Sequence, residues 1–122
     1  MKINSTDLNK LYSNDIGIIF KWKGTSDGHP YHDKINLVFN GAVLHFNLKE
    51  LYIFQQDVGN ALKRPLLCES KYPKECKSIL LETPLSQLSF AMSYNDLILM
   101  QELIEGSFFQ IALSNILQNI LE

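Results

Sequence analysis

Apolar and polar positions alternate over residues 16–23, with Ile16, Ile18, Phe20 and Trp22 on one side and Gly17, Ile19, Lys21 and Lys23 on the other. A period of two predicts a half-buried strand whose first set faces the core. Residues 24–30 read as a loop from their Gly, Ser, Asp and Pro content. Residues 1–14 are polar; Leu8, Leu11 and Tyr12 are the candidates for docking, and a short helical turn from Thr6 is the most that this stretch suggests.

Residues 35–39 and 42–46 are two apolar-rich runs flanking Asn40-Gly41. Asn-Gly supplies the two positive-φ residues of a type I′ turn, so the runs form a hairpin. A two-residue turn pairs Phe39 with Ala42, Leu37 with Leu44 and Ile35 with Phe46, and these six apolar residues share one face. Asn47 followed by Glu50 is a capping box. The helix it opens carries Leu51, Phe54, Val58 and Leu62 along one stripe, and Pro65 limits its extension. Residues 63–77 read as a charged surface connection, with Leu66, Leu67 and Tyr72 as anchors.

The same sequence of elements then recurs. Residues 78–83 and 88–92 read as strands, and Ser93 followed by Asp96 is a second capping box before a long apolar helix. A shift of 46 positions places Leu44 on Phe90, Phe46 on Met92, Asn47 on Ser93, Leu51 on Leu97, Phe54 on Met100 and Val58 on Ile104. Neither hairpin–helix unit can bury its own apolar faces, so each needs the other. The expected fold is a two-layer α+β domain spanning residues 1–122. It has about five mostly antiparallel strands in one sheet and two helices on one face, built as ββα-ββα. Unit one covers about residues 16–62, the connection 63–77, and unit two about 78–122.

The last helix has more apolar surface than one layer needs. Leu97, Met100, Ile104, Phe108 and Ile111 fall in one sector, and Phe109, Leu113, Ile116 and Ile120 in another roughly 130° away. The second set is spaced like a coiled-coil seam. Three accounts compete: a break near Gly106-Ser107 or Ser114-Asn115, coverage by the N-terminal segment, or pairing with a second copy. The third, a homodimer, is the leading expectation, because a soluble monomer seldom carries so large an apolar patch.

Composition narrows the function classes. The chain has 122 residues, 46% of them apolar, with 11 basic and 13 acidic side chains and a net charge of −2. That balance supplies no field for recruiting nucleic acid or an anionic membrane surface, and neither is an expected partner. No secretory leader or spanning segment is visible at the N-terminus, so a cytoplasmic protein with reduced thiols is expected.

Candidate chemistry is sparse. His29, His32, Cys68 and Cys76 are residue types of a structural zinc site, and the His-x-x-His half has chelating spacing. The seven residues between the two cysteines exceed the usual two to four. No metal or cofactor is therefore expected, with zinc as the alternative. Asp27, His29, His32 and Asp33 make a weaker acid/base cluster. Gly-x-Ser-x-Gly, His-Glu-x-x-His and phosphate-loop motifs do not occur. His45 lies across the hairpin from Asn36, which points to a polar cross-strand contact. Ile19, Lys21, Asn36, Val38, Val43 and His45 are the expected outer sheet face, a possible docking surface for a protein partner.

The stretch from His29 to Gly41, with residues 78–84 and 93–97, resembles a family of small uncharacterised bacterial proteins. In that family a Cys-x-x-Cys pair precedes a strand like Asn36-Leu37-Val38-Phe39, and a strand ending in Thr-Pro and a capped C-terminal helix follow. The resemblance spans most of residues 16–110 and implies a fold without an activity. This chain has His29 and His32 at the positions of the family's thiols. The resulting expectation is a non-enzymatic, self-associating interaction module. Its association residues are Phe109, Leu113, Ile116 and Ile120, and the alternative is a zinc-binding protein or metal-dependent enzyme.

Overall fold

The computed structural model describes residues 8–23, 33–66 and 71–121. Among these residues it is an α+β fold of six strands and two helices: β1 (Leu8–Asn14), β2 (Gly17–Trp22), β3 (Ile35–Phe39), β4 (Ala42–Phe46), α1 (Leu48–Leu62), β5 (Ile79–Glu82), β6 (Ser89–Met92) and α2 (Tyr94–Leu121). A short 3₁₀ turn, Pro73–Glu75, interrupts the connection after α1.

The β3–β4 hairpin has the register its turn dictates, Ile35 opposite Phe46, Leu37 opposite Leu44 and Phe39 opposite Ala42. Asn40 and Gly41 take φ of 51° and 78°, the left-handed pair of a type I′ turn. Both capping boxes form. Asn47 Oδ1 accepts from the Glu50 amide at 2.7 Å, and Glu50 Oε1 accepts from the Asn47 amide at 2.9 Å. Ser93 and Asp96 repeat the exchange at 3.0 and 3.1 Å.

The correspondence at 46 positions extends into the core. The buried residues of α1 are Leu51, Phe54, Val58 and Ala61, and their counterparts Leu97, Met100, Ile104 and Ser107 are all buried in α2. The hairpins differ in length. Residues 83–88 separate β5 from β6 where Asn40-Gly41 suffices between β3 and β4, so Ile79 pairs with Met92. The helices pack on each other, α2 lies against β1 and β2, and α1 touches β4 and β5.

Four main features depart from the sequence reading. First, β1 is a strand, antiparallel to β2, with a bulge between Lys10 and Tyr12. The bulge brings consecutive residues to the core: Leu11 is buried in it and Tyr12 packs against it, a spacing that no period-two pattern reveals. Second, the core parity of β2 is reversed. Ile19, opposite Leu37, is fully buried in the core. Phe20, opposite Asn36, is buried on the other face, where its ring meets Trp22 edge-on at 5.3 Å. A strand buried on both faces loses its alternation.

Third, the strands form two sheets, β1-β2-β3-β4 and β5-β6, rather than one. Arg64, just past α1, donates to the Leu80 carbonyl at 2.6 Å and pairs with Glu82 at 3.6 Å. The β5 edge is thereby occupied by a side chain. Ile79, Leu81 and Met92 still enter the common core, and Phe90 meets Phe39 edge-on at 5.1 Å. Fourth, Cys76 is disulfide-bonded, where reduced thiols were expected. In the connection, Leu66 and Tyr72 are exposed rather than anchoring, and Leu67 lies outside the described residues.

Candidate self-association surface

Helix α2 is 28 residues long, a rod of about 42 Å. Its N-terminal half is core: Leu97, Met100, Leu103, Ile104 and Ser107 are buried, and Phe108 and Ile111 are half-buried against them. By length and composition the helix could cross a membrane, but this buried face is what the sheet and α1 cover. From residue 112 onward every described residue is exposed. The last ten residues, about 15 Å of helix, therefore project beyond the domain.

The helix is unbroken at Gly106-Ser107 and at Ser114-Asn115. At Gly106-Ser107, the Ser107 hydroxyl donates to the Leu103 carbonyl at 2.8 Å, inside the helix. The N-terminal segment does cover α2, but one turn before the candidate seam. The Tyr12 ring lies against the bare Cα of Gly106, where a Cβ would sit 2.6 Å from its Cγ. The Tyr12 hydroxyl donates to Glu102 Oε1 at 3.0 Å, and Asn14 Nδ2 to the Leu99 carbonyl at 2.8 Å. That hydrogen bond, with the Glu102 charge and some burial, raises the Tyr12 phenol above its ordinary value of 10.0.

Beyond Tyr12 the seam is uncovered. Phe109 is 65% exposed, Leu113 39%, Ile116 55% and Ile120 72%. Leu117 and Leu121, which the seam spacing omits, are also exposed and widen the apolar face. Residues 106–121 carry no charge. Toward the N-terminus the same four-three spacing continues through Gly106, under the Tyr12 ring, and the exposed Glu102. The meridian thus changes from acidic to apolar where Tyr12 stops covering it.

The other candidates are placed as follows. His29, His32, Asp27 and Cys68 lie outside the described residues. Cys76, as a disulfide, offers no thiolate, so zinc there would require its reduction. No group of three or more His, Cys, Asp or Glu side chains suited to a metal occurs among the described residues. His45 Nδ1 and Asn36 Oδ1 are 2.6 Å apart, the cross-strand contact their register suggests. The Asn36 amide nitrogen donates to the Lys34 carbonyl at 3.2 Å and reaches the Phe20 carbonyl at 3.5 Å. This leaves Oδ1 as the acceptor and places the proton on His45 Nδ1. The outer sheet face therefore presents Phe20, Asn36, Val38, Val43 and His45. Ile19 belongs to the core instead and Lys21 shares its parity in β2, exposed; of the outer set Phe20 and Asn36 are buried. No family model, curated protein or solved structure matches the chain.

Proposed function

We propose that this chain is a non-enzymatic interaction module that acts as a homodimer, two copies joining through the distal half of α2. The observation that carries the reading is the unbroken, uncharged helix end with Phe109, Leu113, Ile116 and Ile120 in solvent. Those four side chains from each of two copies contribute on the order of 10–20 kcal/mol on burial. Association costs about 4–15 kcal/mol, so burial of this face is of the size needed to offset it.

The buried polar groups support a structural role for the domain itself. Asn36 is committed to His45 and to backbone carbonyls, Ser93 to a helix cap and Ser107 to its own helix. The Cys76 disulfide favours an oxidising compartment over the cytoplasm expected from the sequence. Sedimentation of Phe109→Asp and Ile116→Asp tests the function. Each charge placed in the seam should halve the mass of the wild-type particle. A wild-type dimer that keeps its mass in both variants would move the contact elsewhere.

A further inference from the structure

We propose that the two α2 tails pair antiparallel, about a twofold axis between Ser114 and Asn115. This inference rests on the self-association reading and specifies its geometry. In that register Phe109 of one copy faces Ile120 of the other, and Leu113 faces Ile116. The seam is self-complementary end to end, over about 16 Å.

Two features at the domain end of the seam select this direction. Glu102, on the same four-three meridian as the seam, is acidic and exposed. Parallel, in-register tails would set Glu102 against Glu102, an apposition of like charges. The Tyr12 ring also sits over Gly106, on the side of α2 that the seam shares. Paired helices approach to about 8–10 Å, so parallel tails would drive two Tyr12 rings together one turn below Phe109. Antiparallel tails avoid both conflicts. Leu121 of the second copy comes level with Phe108, short of Glu105 and beside the Tyr12 ring.

Cysteine pairing tests the direction. Full-length Phe109→Cys and Ile120→Cys proteins are oxidised separately and after mixing, and peptide mapping separates the new link from the disulfide at Cys76. The antiparallel seam predicts a link between positions 109 and 120 in the mixture and none in either protein alone. Links of 109 to 109 and of 120 to 120 in the separate proteins would overturn the direction and leave the dimer standing. A wild-type dimer giving no link in any sample would also overturn this seam. Wild-type light scattering at the mass of one chain would overturn self-association and direction together. Flotation of that monomer with phosphatidylglycerol vesicles would identify a lipid surface as the occupant instead.

Discussion

The ring of Tyr12 lies on the Cα of Gly106, filling the place where any other residue would carry its Cβ. This contact ties the edge strand β1 to the middle of α2 and marks where the domain ends and the free helix begins. It accounts for a glycine in the interior of a long helix, where glycine costs about 1 kcal/mol relative to alanine.

Gly106→Ala should therefore destabilise the protein, by about 1–3 kcal/mol, because the added carbon displaces the ring and strains the Tyr12–Glu102 hydrogen bond. Gly59, in α1, has nothing within 4 Å of an added Cβ. Gly59→Ala should instead stabilise by about 0.5–1 kcal/mol. Chemical denaturation of the two variants checks the opposite signs.

Asn36→Ala should cost about 1–3 kcal/mol, since it leaves buried backbone carbonyls and His45 without their partner. A double-mutant cycle with His45→Ala should show coupling between the two positions, read from urea midpoints. Additive losses would mean that the 2.6 Å contact contributes nothing of its own.

Asp57 titrates above its ordinary value of 3.8, chiefly because burial disfavours its charge and secondarily because Glu82 is near. A carboxyl with a raised native value stabilises the fold while protonated and loses that contribution as pH rises through the native value. Asp57→Asn should thus raise the melting temperature at neutral pH. The gain should shrink as pH falls through the native value and vanish below 3.8, where Asp57 is protonated in both states.

The two helix caps should be energetically alike. Asn47→Ala and Ser93→Ala each remove the side-chain half of a capping box and should each cost about 1 kcal/mol. Ser107→Ala, by contrast, places the residue found at the corresponding Ala61 and should stay within about 0.5 kcal/mol of wild type. Thermal melts of the three variants make the comparison.

Much of this architecture was legible where local chemistry is self-sufficient. Asn40-Gly41 sets the β3–β4 register, and the two capping boxes set both helix starts, because each device acts within a few residues. β1 was not legible: Asn9, Lys10 and Ser13 mask it, and its bulge puts Leu11 and Tyr12 on one side. The parity of β2 was hidden because Ile19 and Phe20 are both buried, on opposite faces. The split into two sheets and the reach of Arg64 to Leu80 and Glu82 are long-range features that no periodicity encodes. In the candidate surface, Phe109, Leu113, Ile116 and Ile120 followed from helical spacing. The role of Gly106 required Tyr12, far away in sequence.

The mass of the wild-type chain, followed by sedimentation equilibrium through a dilution series from micromolar concentration, bears on the homodimer most directly. Pairing through α2 gives a particle of twice the 14.0 kDa chain mass that dissociates on dilution. A single species at 14.0 kDa across the whole series would contradict it.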